Sequence, residues 1–501
     1  MKLLRFALVL ASLVLPLFAI LTTAQEEVGP PPGADVLARG PVHEAYAEAI
    51  SDQPKQGALV AKQPPDPIEE APPEERPVGD NVQWIPGYWA WDDEASNFLW
   101  VSGFWRVPPP SRHWVPGHWQ EVEGGWLWAS GFWAPDNLQQ VSYLPPPPPS
   151  IEAGPSTPAP NPTDIYVAGC WVYQNRYLWR PGHWIVYQPG WVWIPAHYVW
   201  TPIGCVFVDG YWDHPLDDRG LLFAPVRFDL AVWRAARRVF VPQFVIHTDF
   251  LLGALFVGPH TRHYFFGDYF EDRYVKRGFV AWTDYRPRKG MVDPNFVYYR
   301  HLHQADPDWE KSLRGLYAGR RTGEIPRPPV TLKQQIQVVN NITVNKTTNV
   351  VVNKSINITN VQNVTALAPL KEVKNIKVTN LGSLTPGVQA KVQPRPVKIE
   401  AVAKDVHARE IKQATQIQTF GVQRQATEAK VLHQGGIPVQ HTDAPKTVPL
   451  AIPKPIPHVT PPPPVVKTPP PHPTMPQHVE KPIPKYEPYK PPMPPKKKDK
   501  G

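Results

Sequence analysis

A six-residue pattern with a bulky ring at each end and a glycine at its fourth position recurs along this chain of 501 residues. Its clearest copies occupy residues 84–89, 100–105, 114–119, 128–133 and 179–184. Ten of the 20 tryptophans fall within residues 81–134 and seven more within 164–212, so the tryptophans belong to the pattern. A chain with this repeat has to bring many large rings together, and that requirement limits the folds open to it.

The spacing of the pattern indicates β-structure. Its central positions lie 14 residues apart at 103, 117 and 131, and again at 182, 196 and 210. Such a period suits one strand plus one turn, and polar or glycine-rich turns separate the copies at 92–97, 122–125, 174–176 and 188–190. The sequence therefore predicts a mainly β fold: an antiparallel meander of Trp-rich repeat hairpins, with about eight strands in two blocks, 81–134 and 164–212.

The glycine of each copy has a structural explanation. A strand glycine leaves bare backbone that a ring from the next strand can cover. Its backbone also tolerates a bulge or a kink, and a preceding proline in several copies favours a break at the same place. The predicted structural repeat glycines are Gly87, Gly103, Gly117, Gly131, Gly169, Gly182 and Gly210.

The rings admit two interpretations. Along residues 98–105 large side chains alternate onto both faces of the predicted strand, so either both faces are covered or some rings are exposed. Covered rings would form the core that such small blocks need. Exposed rings would form a flat platform that stacks on sugar rings or cations. The candidate ligand-binding residues are the same-face pairs Trp89 and Trp91, Trp126 and Trp128, and Trp191 and Trp193.

Residues 1–24 are typical of a secretory signal peptide. A charged start precedes an apolar stretch, 6–21, and small residues follow up to Ala24. We expect cleavage there, no transmembrane helix in the mature chain, and a secreted, periplasmic or cell-envelope location. Export would permit a disulfide. The two cysteines are Cys170 and Cys205, and the sequence leaves open whether they are bridged.

Proline-rich segments separate the other regions and contain many of the 67 prolines. The predicted organisation begins with a disordered linker at 25–80, the first block, a Pro-rich linker at 135–163 and the second block. A β-rich extension follows at 213–325, with a helix over 298–321 that Asp306 caps. The rest is an Asn/Val-rich octad repeat and linker at 326–403, a weak helix over 404–432, and a Pro/Lys-rich disordered tail at 433–501. The octads, 341–364, are consistent either with stacked β-rungs that self-associate between chains or with a low-complexity linker.

The sequence argues against catalysis, metal binding and nucleic-acid binding. Much of the formal net charge of +8 lies in the last 60 residues, so no predicted domain carries a basic stripe. The motifs of nucleophile elbows, zinc proteases and phosphate loops are absent from the sequence. The pairs His260/His263 and His301/His303 lack carboxylate or cysteine partners at ligand spacing. We predict no catalytic, cofactor-binding or metal site. An enzyme whose site lies in 213–325 is the third hypothesis, and no residue is nominated for it.

The pattern resembles the tryptophan-rich WxxGxW repeat family, also called YxWGxW, of secreted bacterial proteins. The clear copies carry the resemblance, and degenerate copies lie at 170–171, 197–198 and 211–212. The second block departs from the pattern, with Ala196 in a glycine position. The resemblance implies export and a repeat module, and it implies no established activity.

We therefore predict an exported, non-catalytic structural or interaction protein of the bacterial cell envelope. Its basic tail would attract an anionic envelope polymer weakly and in a salt-dependent way. The alternative is a glycan-binding module that uses exposed Trp faces on cell-wall polysaccharide. Self-association through 341–364 is a further expectation, and no nucleic-acid partner is expected.

Overall fold

Short antiparallel strands make up most of the regular structure. The computed structural model describes residues 29–51, 54–260, 263–287, 291–348, 364–375 and 398–450, so the predicted signal peptide and the end of the predicted tail lie outside it. The described residues belong to one unit, Met1–His458. The predicted mainly β class is confirmed. Among the described residues, no helix combines the length and the apolar character that crossing a membrane requires.

The strands of the N-terminal segment, residues 29–80, and of the first block come first in the chain, followed by one strand, β12, within the linker predicted over 135–163. They are β1 Ala34–Val36, β2 Gly40–Pro41, β3 Glu75–Pro77, β4 Gln83–Ile85, β5 Tyr88–Asp92, β6 Asn97–Val101, β7 Phe104–Arg106, β8 Arg112–Val115, β9 His118–Val122, β10 Gly125–Ala129, β11 Phe132–Pro135 and β12 Gln140–Leu144.

The second block follows with shorter strands. They are β13 Ile165–Val167, β14 Cys170–Gln174, β15 Arg176–Arg180, β16 His183–Ile185, β17 Val192–Ile194, β18 His197–Thr201, β19 Gly204–Val208 and β20 Tyr211–Asp213.

Helices and strands mix in the rest of the chain. The strands are β21 Gly220–Leu221, β22 Val226–Phe228, β23 Phe244–Ile246, β24 Leu255–Val257, β25 Tyr264–Phe266, β26 Val280–Ala281, β27 Leu367–Pro369, β28 Ile399–Ala401 and β29 Lys446–Pro449. The α-helices are α1 Leu230–Ala235, α2 Thr248–Gly253, α3 Asp272–Lys276, α4 Pro294–Leu302, α5 Trp309–Thr322, α6 Leu332–Thr348 and α7 Lys404–Gln434, and 3-10 turns occupy Leu216–Asp218 and Leu370–Asn375.

Two copies of the pattern combine into one repeat unit. In repeat unit I, residues 83–106, β4 pairs with β7 and β5 with β6, so Trp84 lies opposite Trp105 and Trp89 opposite Trp100. The ring centroids of these pairs lie 5.3 and 5.2 Å apart in edge-on geometry, which aromatic pairs favour. Units II (112–135), III (165–185) and IV (192–213) repeat this exchange, with the opposed pairs Trp114–Trp133, Trp119–Trp128, Tyr166–Trp184, Trp171–Trp179, Trp193–Trp212 and Tyr198–Phe207.

Each copy of the pattern forms two strands where the sequence predicted one. The strand predicted through residues 98–105 ends at Val101 and resumes at Phe104, with Ser102 and Gly103 between β6 and β7. The predicted total of about eight strands is therefore wrong, because the two blocks hold β4–β11 and β13–β20. The physical reason is that the Gly103 N–H donates to a side-chain carboxylate and not to a neighbouring strand, so the ladder stops there.

The N-terminal segment belongs to the core, so the linker predicted over 25–80 is wrong for much of its described part. Strand β1 pairs with β22 in a sheet of order β1-β22-β6-β5, which joins this segment to the extension and to unit I. Val42 and Tyr46 are only 1% and 2% exposed. The Tyr46 ring packs edge-on against Phe104, and its hydroxyl donates to the Leu216 carbonyl at 2.6 Å. The apolar side chains of 42–50 outweigh the polar composition around them.

Two helices replace the single helix predicted over 298–321. The Asp293 side chain caps α4 by accepting the N–H groups of Asn295 and Phe296 at 2.9 and 3.1 Å. Helix α5 begins after Asp308, so the predicted cap, Asp306, is wrong. The Asp306 carboxylate instead accepts the Asp308 N–H at 3.2 Å in the turn before the helix.

The later repeats and the tail also differ from expectation. Helix α6 covers the first octad, 341–348, so the β-rung interpretation is wrong there, and 349–363 lie outside the described residues. Strand β29 falls within the predicted disordered tail, and it pairs with β12. Where a weak helix was predicted over 404–432, α7 runs for 31 residues and packs on β4, β8 and β9 of the first block.

Candidate functional site

The carboxylate of a half-buried residue occupies the break in unit I. Glu70 Oε2 accepts the N–H of Gly87 at 2.9 Å and of Gly103 at 3.0 Å, and Oε1 accepts the indole N–H of Trp100 at 3.1 Å. Burial raises the pKa of the Glu70 carboxyl to about 7, although the three donors favour the charged form. We call this arrangement a carboxylate clamp, because one side chain holds both glycine breaks of the unit.

Unit II has the same clamp with a carboxylate from farther away. Glu44 Oε1 accepts the N–H of Gly117 at 3.3 Å and of Gly131 at 3.1 Å, and Oε2 accepts the Trp128 indole N–H at 3.2 Å. Glu44 is 2% exposed. The donors therefore match those of unit I group by group, although Glu44 precedes its first glycine by 73 residues.

The carbonyl group before the glycine is bonded as well. In unit II, Arg424 of α7 donates from Nη1 to the carbonyls of Pro116 at 2.8 Å and Ser130 at 3.1 Å. In unit I, His43 Nε2 lies 3.1 Å from the Pro86 carbonyl. Burial lowers the pKa of His43 to about 3, so a neutral ring donates this bond. Side chains from distant segments thus replace the ladder bonds that the breaks forgo.

The second block keeps this arrangement in part. In unit III the Glu152 carboxylate accepts the Gly169 N–H and, at 3.0 Å, the Tyr166 hydroxyl. In unit IV the buried indole N–H of Trp193 has no hydrogen-bond partner within the described residues. The clamp therefore weakens along the chain as the pattern becomes degenerate.

A ring of one copy covers the glycine of the other copy. A Cβ added at Gly103 would lie 2.6 Å from the Trp84 ring, and one added at Gly210 would lie 2.5 Å from the Trp193 ring. Real Cβ atoms do not tolerate such distances, so a side chain would force the ring out of place. Close approach of a ring explains why glycine is the most constant position of the pattern.

The predicted ligand-binding tryptophans form no exposed platform. Trp89 and Trp128 are 4% and 7% exposed, and the Trp89 indole N–H donates to the Asp66 carbonyl at 2.9 Å. The other four, Trp91, Trp126, Trp191 and Trp193, are half-buried. All 20 tryptophans lie within the described residues, and each is buried or half-buried. The platform is wrong for the pairs with Trp89 and Trp128, because each ring packs against the opposed copy of its unit.

An open cavity of about 100 Å³ lies beside units I and II. Trp91 and Trp119 contribute partly exposed rings to its wall, and Asp93, His260 and Arg277 contribute polar groups. Arg277 Nη2 lies 3.6 Å from a carboxylate oxygen of Asp93. A concave wall with rings and a few polar groups is the usual form of a small-ligand site.

A cluster of two carboxylates and an imidazole, in which Glu44 and His263 are buried and Glu48 is half-buried, lies at the edge of this cavity. His263 Nε2 lies 3.6 Å from Glu44 Oε2 and 3.9 Å from Glu48 Oε1. Burial raises the pKa of Glu44 to about 7 and, together with the nearby Glu44, raises that of Glu48 well above its ordinary value. Burial lowers the pKa of His263 to about 4. A second cavity, about 60 Å³ in volume, adjoins the cluster at Glu48 and His263.

The second histidine pair considered in the sequence, His301 and His303, has a packing role. His301 stacks on Tyr187 with the ring planes inclined by 18°, and His303 stacks on Trp309 with an inclination of 5°. Their side chains therefore serve as flat rings in the extension.

The two cysteines are free thiols, so the bridge that the sequence left open is not formed. Arg180 Nη2 donates to Cys170 Sγ at 3.3 Å. Cys205 is 1% exposed on β19, and burial raises the pKa of its thiol to about 12. A buried thiol of this kind behaves as a small apolar side chain.

Sequence reasoning missed the clamp carboxylates because they lie outside the blocks. Glu44 and Glu70 fall in the segment predicted as a linker, and Glu152 falls in the second predicted linker. One signal was available: Glu70 and Glu152 each precede the first glycine of their unit by 17 residues. Glu44 does not share that spacing, so it could be found only from the structure.

The comparisons with known proteins agree with the repeat architecture. A family model described as WXXGXW repeat (2 copies) matches residues 79–106, 113–134 and 189–212, which contain unit I and nearly all of units II and IV. The chain therefore contains WxxGxW repeats, as its sequence indicated. No curated protein and no solved structure matches it.

Proposed function

We propose that this WxxGxW repeat protein is an exported, non-catalytic structural and interaction protein of the bacterial cell envelope. The observation that carries the proposal is that the side chains of the repeat are used to build the fold. Every tryptophan is at least half-buried, and clamps hold the breaks of units I and II. A repeat built this way supplies a stiff scaffold. The basic tail then supplies the contact to an anionic envelope polymer.

Export is tested on the intact precursor expressed in a bacterial host. We expect the chain outside the cytoplasm, with the mass of a protein that begins at Gln25. A full-length mass in the cytoplasmic fraction would contradict an envelope location.

Polymer binding is tested by co-sedimentation of the full chain with purified cell walls that carry anionic polymer. The test variant replaces Lys496, Lys497, Lys498 and Lys500 by Gln. The matched control replaces Lys398, Lys404, Lys412 and Lys430, which are exposed within the folded part, in the same way. We expect the tail variant alone to bind several-fold more weakly and with a smaller salt dependence. Equal binding by both variants would contradict the role of the tail.

A second candidate function, binding of cell-wall glycan, is favoured by the cavity beside units I and II. Trp91 belongs to the predicted ligand-binding set and lines this cavity together with Trp119. Its partly exposed ring is suited to stack on a sugar, with Asp93 and Arg277 beside it to bond hydroxyl groups. Affinity electrophoresis in soluble wall polysaccharide tests this function. Trp91→Ala should abolish retardation, while Trp126→Ala, a half-buried ring outside the cavity wall, should leave it unchanged. Equal retardation of both variants would exclude this cavity.

A further inference from the structure

Three side chains with metal-ligating atoms converge beside unit II. Glu44 and Glu48 come from the N-terminal segment, and His263 lies directly before β25. One oxygen of each carboxylate and one ring nitrogen all lie within 4.8 Å of one another. Ligands about 2.1 Å from a tetrahedral zinc ion lie about 3.4 Å apart. The separations of 3.6 and 3.9 Å therefore need only a small contraction to coordinate one ion.

The cluster goes beyond what the clamp requires. In unit I, Glu70 accepts two glycine N–H groups and one indole N–H, and Glu44 accepts the same three donors in unit II. Neither Glu48 nor His263 takes part in these clamp hydrogen bonds. They place a second carboxylate and an imidazole against a carboxylate whose clamp is already complete.

The surroundings suit an ion with an open coordination position. Glu48 and His263 line the second cavity, and His263 also lines the larger one, so a small ligand can approach from either side. Ser130 Oγ lies 3.4 Å from His263 Nε2 and adds a polar oxygen. The charge of Arg424 acts on Glu44, but its guanidinium is paired with Glu428 at 2.6 Å. A divalent ion would balance the two carboxylates directly.

We propose that Glu44, Glu48 and His263 bind one divalent transition-metal ion, of which Zn²⁺ is the best match to two carboxylates and one imidazole. The protein supplies three ligands, and the remaining position faces the cavities. Three protein ligands and an open position distinguish such a site from a closed structural zinc site. The proposal goes beyond the envelope function, since its residues lie outside the tail. His263 shares the larger cavity with Trp91, but metal binding by the cluster does not depend on glycan binding there.

Calorimetric titration of the chelator-treated mature chain with Zn²⁺ tests the proposal. We expect one site per chain, and we expect Glu48→Gln and His263→Gln each to lower the affinity at least tenfold. His260→Gln is the matched control, because His260 lines both cavities but lies outside the cluster. Circular dichroism checks that each variant is folded, and both test substitutions leave the clamp donors in place.

A second measurement separates this site from the many other histidines of the chain. With Co²⁺ in place of Zn²⁺, we expect visible absorption typical of low coordination number that is lost in His263→Gln and kept in His260→Gln. The absence of saturable binding, or equal affinity in all three variants, would overturn the proposal.

Discussion

At the scale of single residues, the repeat glycine does two things that no other residue can combine. Its bare Cα admits the ring of the opposed copy, as Trp84 shows at Gly103. Its N–H leaves the strand ladder and donates to the carboxylate of Glu70, which comes from the segment before unit I. The constant residues of the pattern are thus explained by packing and hydrogen bonding, with no ligand required.

Substitution of a repeat glycine should be costly. In Gly103→Ala the new Cβ would lie within 2.7 Å of the Trp84 ring, Glu70 and the Ile85 carbonyl. We expect a loss of about 2–4 kcal/mol in the free energy of unfolding, measured by urea denaturation. Gly315→Ala is the control, because Gly315 is exposed in α5 with open space around it. That change should be neutral or stabilising by up to about 1 kcal/mol. Similar losses in both variants would contradict the packing argument.

The Glu70 clamp predicts a specific pH dependence. The folded pKa of about 7 lies above the ordinary 4.5, so the folded chain keeps a proton that the unfolded chain has released. The stability from this group is therefore full below about pH 4.5 and is lost as the pH rises through 7. We expect the natural chain to lose up to about 3 kcal/mol more than Glu70→Gln between pH 5 and 8.

Urea denaturation across that pH range gives the measurement, and the difference between the two chains cancels the titration of all other groups. Parallel curves for the two chains would show that Glu70 keeps an ordinary pKa in the folded state.

At the scale of elements, α7 is held to the first block by buried charge. Arg424 and Glu428 are both fully buried, and Arg424 also donates to the carbonyls before the two glycines of unit II. Burial opposes the charged form of Glu428, but Arg424 and His118 outweigh it and lower the pKa of Glu428. Removing one partner of such a pair leaves the other charge buried and uncompensated.

Arg424→Met should therefore destabilise the fold by about 3–5 kcal/mol. The control is Arg409→Met, which removes an exposed cation from the same helix and should cost less than about 0.5 kcal/mol. Thermal unfolding followed by circular dichroism compares them. An equal melting temperature for the two variants would show that α7 is not fixed to the block through this pair.

The sequence was informative where contacts are local and uninformative where they are distant. The period of 14 predicted strands, and the glycine pattern indicated that breaks and covering rings belong together. The side chains that bond the glycine breaks could not be predicted. Glu44 and Arg424, for example, come from segments whose composition suggests a linker and a weak helix. A single sequence does not indicate which distant polar residue will meet a break. For the same reason His263 seemed isolated until the fold brought Glu44 and Glu48 to it.

At the scale of the whole molecule, the repeats share sheets and a core with their neighbours. The sheet of order β1-β22-β6-β5 takes strands from the N-terminal segment, the extension and unit I. The first block contributes most of its rings to the shared core, since seven of its tryptophans are buried, whereas the seven of the second block are half-buried. The central claim follows: the tryptophans are first of all structural material, and folding withdraws most of their surface from solvent.

Iodide quenching of tryptophan fluorescence in the intact folded chain tests this claim most directly. Ten of the 20 tryptophans are buried and the rest are half-buried. We expect the quenching curve to level off with at least half of the emission inaccessible, and full quenching to appear only after denaturation. If the folded chain is quenched as completely as the denatured chain, the rings are exposed and the scaffold interpretation is wrong.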